Sequence, residues 1–171
     1  MERLGLDYDL CACIVPKDLQ DNAHNIGLRV SLRDCESVDF VLYKGIGTAG
    51  QDPVVDVQQA NAASGGTAKD LDTITHFFTK KGAVALTGAE LWVETTQVAA
   101  SEITVDATIA EADCIQVYHV EAADMDFAGG FYWAFIYITD VGANAQLGGV
   151  LAIRTGLNVQ RKPSNLRNSN A

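Results

Sequence analysis

Residues 131–139 read FYWAFIYIT, and the eight residues from Phe131 to Ile138 are the longest unbroken apolar run in the chain. Side chains alternate across a strand, so Phe131, Trp133, Phe135 and Tyr137 share one face and Tyr132, Ala134, Ile136 and Ile138 the other. Both faces are apolar, which predicts a central strand buried on both sides. The run is far short of the roughly 20 residues a helix needs to cross a bilayer. It also holds five of the chain's 13 aromatic residues between positions 131 and 137. Such a concentration fits the middle of a β core, with an interface anchor or a sugar-stacking strip as the functional alternatives.

Outward from this strand the dominant period stays at two. Ser37 to Lys44 (SVDFVLYK) puts Val38, Phe40 and Leu42 on one face, and Cys114 to Val120 (CIQVYHV) puts Ile115 and Val117 opposite Gln116 and Tyr118. Further strands are expected at Ile26 to Leu32, Val54 to Gln58, Thr75 to Lys80, Leu91 to Thr96, Glu102 to Ala107 and Val150 to Arg154, about nine in all. Glycine and small polar residues separate them, as at Gly45 to Gln51, Ser64 to Thr67 and Gly142 to Gly149. This pattern predicts an all-β fold, an antiparallel sandwich or barrel, jelly-roll-like, with extended termini and one or two short helices at Ala60 to Ala68 or Leu86 to Val93.

At 171 residues the chain is long enough for one self-sufficient core. The expected organisation is a single β domain over 1–159 with an N-terminal arm, followed by a polar tail over 160–171. The net charge of -10 is unevenly placed: all 22 acids lie at or before Asp140, against 8 bases there, while Arg154, Arg161, Lys162 and Arg167 give the remainder a charge of +4. An acidic body argues against nucleic acid and anionic membrane as partners. Acids in the first 15 residues do not fit a secretory leader, and four scattered cysteines do not form a disulfide framework; the expectation is reduced thiols in a protein made in a cytoplasm.

Motifs with chemistry in them are few. Gly45-x-Gly47-x-x-Gly50 follows a strand, but a dinucleotide site needs a helix at the third glycine, and Asp52-Pro53 then Val54 to Val57 predict another strand. Cys11-x-Cys13 has no second closely spaced pair to complete a zinc site with His24, His76, His119, Cys35 or Cys114. His119 shares its face with Ile115 and Val117, where a core or interface histidine is the expectation. Glu121, Asp124 and Asp126 lack the glycine and closing glutamate of a calcium loop and are expected in a solvated loop. Without a nucleophile elbow, H-E-x-x-H or phosphate-binding lysine, no catalytic residue, cofactor, metal or small-molecule substrate is assigned.

Three stretches carry a resemblance: LGLDYDLCACIVPKDLQDNAHN (4–25), FVLYKGIGTAGQDPVVDVQQA (40–60) and ITDVGANAQLGGVLAI (138–153). Their most specific marks are Tyr43-Lys44-Gly45, Gly47-Thr48-Ala49-Gly50 with Asp52-Pro53, and Asp140-Val141-Gly142 with Asn144 to Gly148. With these the chain resembles small virion structural proteins of tailed bacteriophages, often encoded near the major capsid protein. The resemblance implies no active site, and the basic C-terminus departs from the family pattern.

The function expected from this resemblance is a non-enzymatic capsid decoration, or cement, protein on the virion surface, assembled in the host cytoplasm. It would bridge subunits of the major capsid protein and copies of itself as a homo-oligomer. Arg3 and Leu4 of the arm, and Arg161, Lys162, Leu166 and Arg167 of the tail, are the expected partner-binding residues. A neck or tail protein (connector, completion or tube) is the alternative, and a carbohydrate-binding module using Trp92, Trp133 or tyrosines the third.

Overall fold

The computed structural model describes residues 7–21, 23–104 and 106–158. Among them the chain forms eleven strands: β1 (Asp9–Asp18), β2 (Asn25–Ile26), β3 (Val30–Ser31), β4 (Ser37–Lys44), β5 (Val54–Ala60), β6 (Ala68–Asp70), β7 (Ile74–Lys81), β8 (Val93–Ala100), β9 (Cys114–Glu121), β10 (Trp133–Thr139) and β11 (Leu147–Thr155). The helical content is one 3-10 turn at Ala122–Asp124, so neither 60–68 nor 86–93 is helical. No helix among the described residues is long and apolar enough to cross a membrane.

All strand pairs are antiparallel. One sheet runs β1-β11-β4-β9-β7-β8; the other runs β2-β10-β5-β6, with β3 also on β10. If β2 and β3 count as one interrupted strand and the β7–β8 hairpin as an insertion, eight strands remain. Their pairs are first with last (β1·β11), second with seventh (β2/β3·β10), third with sixth (β4·β9) and fourth with fifth (β5·β6). That nesting is a long hairpin rolled into two sheets, the jelly-roll form of the sandwich. The hairpin insertion widens one sheet to six strands.

The core follows from the alternation. Val38, Phe40 and Leu42 point inward from β4, Val55 and Val57 from β5, Val150 and Ala152 from β11, and Ala134, Ile136 and Ile138 from β10. The opposite face of β10 does not enter this core. Trp133 and Phe135 pack with Ala60, Ala63 and Tyr132 on the outer side of the five-stranded sheet. There the Arg29 guanidinium lies 5.2 Å from the Phe135 ring and donates to the carbonyls of Ala62 and Gly65, holding the 61–66 loop over the aromatic rings. The strand is therefore buried on both sides, as its sequence predicts, but by two different covers.

Several expectations are corrected. On β9 the inward residues are Cys114, Gln116, Tyr118 and Val120, leaving Ile115, Val117 and His119 outward. Gln116 and Tyr118 satisfy each other, the Tyr118 hydroxyl donating to Gln116 Oε1 at 2.8 Å and Gln116 Nε2 to Thr79 Oγ1. The strand expected over Ile26 to Leu32 is split, because Gly27 N donates to Ile136 O of one sheet and Leu28 N to Cys13 O of the other. Among the described residues of 102–107 only Glu102 forms a bridge, to Asp56. Part of the expected N-terminal arm is the edge strand β1.

Candidate interface on the six-stranded sheet

Residues 18–20, 44–52 and 140–148, one piece from each of the three stretches quoted above, meet at one end of the sandwich. Lys44 continues the inward series of β4, and its ammonium is buried with 1% of the residue exposed. It donates to the carbonyls of Gly45, Ile109 and Ala112. Burial lowers its pKa, since the charged form is the one desolvated. Gln146, also 1% exposed, donates from Nε2 to Ala110 O, while its own N–H donates to Asp18 Oδ1. Ala110 N donates to Asp52 Oδ1 and Asn144 N to Gln51 Oε1. Val141 N donates to Gln20 Oε1.

Gly47 belongs to the same knot. A Cβ there would lie 2.6 Å from Gln146 Nε2, so the glycine lets the two stretches touch. Gly45 to Gly50 then passes through Gln51–Pro53 into strand β5, and no helix opens at the third glycine. The motif residues thus build a loop junction, and the sequence signal for its centre was Lys44 at an inward position of an apolar alternation.

Beside this junction the outer face of the six-stranded sheet is apolar. Its rows are set by register. Leu151, Val41, Val117 and Phe78 lie side by side across β11, β4, β9 and β7, and the next row is Gly149, Tyr43, Ile115 and Lys80. Tyr43 is 58% exposed, Leu147 67% and Leu151 50%. A groove of about 510 Å³ runs between β1 and β4, lined by Pro16, Tyr43, Leu147, Gly149 and Leu151 among others. Gly149 is its floor: a Cβ there would sit 2.9 Å from Ile14 O of the irregular stretch of β1.

At the opposite end of the face stands a charged triplet. His119 Nδ1 lies 2.6 Å from Asp39 Oδ1 and Nε2 lies 3.0 Å from Glu121 Oε1. The Asp39 hydrogen bond, with support from Glu121, raises the imidazole pKa to about 9, so His119 is a cation at neutral pH. Both ring nitrogens are engaged, leaving neither for a nucleophile or metal.

The other candidates are dispersed. Asp126 pairs with Lys69 at 2.6 Å and accepts from Gly129 N, while Glu121 turns to His119, so the 121–126 carboxylates do not converge. All four cysteines are buried, and burial pushes the thiol of Cys13 up to about 12 and that of Cys114 up to about 11. Among the described residues no group of three or more His, Cys, Asp or Glu is placed to hold a metal ion. A second hollow, between Phe77, Thr95, Thr104 and Gln116, has its charged wall paired as Lys81 with Asp106. Trp133 is buried; Trp92 is half exposed, with the Lys80 ammonium 4.9 Å from its ring centre. Arg3, Leu4, Arg161, Lys162, Leu166 and Arg167 lie outside the described residues. No protein-family model matches the chain, and no curated protein matches it either.

Proposed function

We propose that this chain is a non-enzymatic structural protein of a tailed-phage virion, a capsid decoration protein that reinforces the head shell by bridging major capsid subunits. The observation that carries the reading is the convergence of the three family-like stretches: residues 18–20, 44–52 and 140–148 are distant in sequence and interlock through buried and part-buried hydrogen bonds at one end of a jelly roll. The marks that carry the resemblance are therefore accounted for as architecture, which is what a resemblance carrying no active site implies. The jelly roll recurs in viral capsid and lectin domains, which adds support by analogy of fold. An exposed apolar sheet face adds a docking surface of the kind assembly requires.

The test is mass spectrometry of purified virions with cryo-electron microscopy of the particle. Hundreds of copies on the head surface support decoration, whereas about six or twelve copies in a ring at the neck or tail would assign the chain to the connector or tube instead. Absence from the particle overturns the proposal.

A further inference from the structure

On the outer face of the six-stranded sheet the middle row is Val41, Val117 and Phe78, each partly buried, with Leu151 half exposed beside them. The two edges of that sheet are both irregular. Register shifts interrupt β1 between Ala12 and Lys17, and β8 where it runs past Ile74 to His76. Bulged edges resist strand-to-strand addition. The face is consequently the surface through which this sheet can associate. Eight-residue strands rise about 26 Å, and six strands span about 29 Å, giving a face of some 750 Å². That is close to the ~800 Å² per partner that a stable interface covers.

We propose that this face is an isologous dimer interface, closed by the same face of a second copy about a two-fold axis parallel to the strands and lying between β4 and β9. Rotation about that axis exchanges β4 with β9 and β11 with β7 while keeping each row level. Val41 then meets Val117 of the second copy, Leu151 meets Phe78, and Tyr43 meets Ile115. Lys80 comes opposite Gly149, beside the Ile14–Pro16 backbone of β1. In the next row Asp39 meets His119, so each carboxylate faces an imidazole on its own chain and another across the axis. The rows are therefore matched across the axis, and Glu121 comes opposite Ser37. Sheets pack about 10 Å apart face to face, which sets the spacing across the axis. A closed two-fold pair also leaves no apolar face open to propagate into fibres.

The proposal stands apart from the virion reading, and a monomer in solution would leave that reading untouched. Sedimentation equilibrium and light scattering on the full chain, from about 1 to 100 µM, should give twice the 18.3 kDa chain mass. Leu151→Glu and Tyr43→Glu should weaken self-association by about a hundredfold, because each puts a carboxylate near the buried centre. Ile26→Glu, at a 66% exposed position on β2 of the other sheet, should leave it unchanged. Asp39→Lys should weaken the dimer, and the double change Asp39→Lys with His119→Asp should restore it. A monomer across the whole range, a trimer or larger ring, or a dimer that persists in folded Leu151→Glu would each overturn the proposal.

Discussion

The ammonium of Lys44 is buried and donates to the carbonyl of Ala112 at 3.0 Å, so a side chain on β4 fixes the loop that precedes β9. Its two other acceptors, Gly45 O and Ile109 O, make this a positive group solvated by backbone rather than by a carboxylate. Replacing it removes three donors at once from carbonyls beneath the surface. Lys44→Met should lower stability by about 2–4 kcal/mol in urea unfolding, with hydrogen exchange accelerated first at residues 109–113.

Arg154 is 2% exposed and pairs with Asp9 at 3.0 Å across β1 and β11. Removing the carboxylate leaves a buried guanidinium without its counter-charge. Asp9→Ala should cost about 3 kcal/mol, measured by thermal and chemical unfolding, whereas Lys17→Ala, which breaks an exposed pair with Asp21, should change stability by less than about 0.5 kcal/mol.

The charge triplet gives stability a pH dependence of definite sign. His119 on β9 faces Asp39 on β4 and Glu121 on its own strand, with its folded pKa raised from 6.5 to about 9. The folded state holds the proton more tightly, so this contribution is fully present below pH 6.5 and is lost as pH rises through about 9. The stability difference between the native chain and His119→Gln should shrink across that window. A difference that grows with pH would contradict it.

The two covers of β10 should be separable by truncation. Ile136→Ala opens the inter-sheet core and Phe135→Ala the outer cluster, and each should cost about 3 kcal/mol by urea unfolding. Arg29→Ala should destabilise by a smaller amount while exposing Trp133, read as a red shift and faster quenching of tryptophan fluorescence.

Thiol chemistry should be slow in the native state. Cys11, Cys13, Cys35 and Cys114 are all buried, and those at 13 and 114 are raised to about 12 and 11, far from the thiolate form at neutral pH. A disulfide reagent at pH 8 should react with the folded chain at least about a hundredfold more slowly than with the denatured one, where four thiols are available.

The parts of the fold legible in sequence are those where one face is apolar without interruption. Residues 37–44 end where their alternation ends, and residues 133–139 form an interior strand of their sheet. β1 falls in the stretch expected as an N-terminal arm, and its sequence carries Pro16. Proline is tolerated there since β1 is an edge strand with an irregular register. β6 is three exposed residues, Ala68–Asp70, with no pattern to see. The inward choice of Gln116 and Tyr118 over Ile115 and Val117 depends on a hydrogen bond between the two, and on an outer face that retains apolar residues. Neither is visible in a rule that sends apolar residues inward. The same rule hides the candidate interface, which is made of residues that a lone sandwich would bury.

The pairing of the first strand with the last has a mechanical consequence. Asp9, at the start of β1, lies opposite Arg154, near the end of β11, so the chain enters and leaves the sheet at one corner. Tension applied between the two ends peels that ladder open one hydrogen bond after another, instead of shearing all of them together. A subunit tethered through both ends to one anchor point carries no such load and keeps its first and last strands zipped.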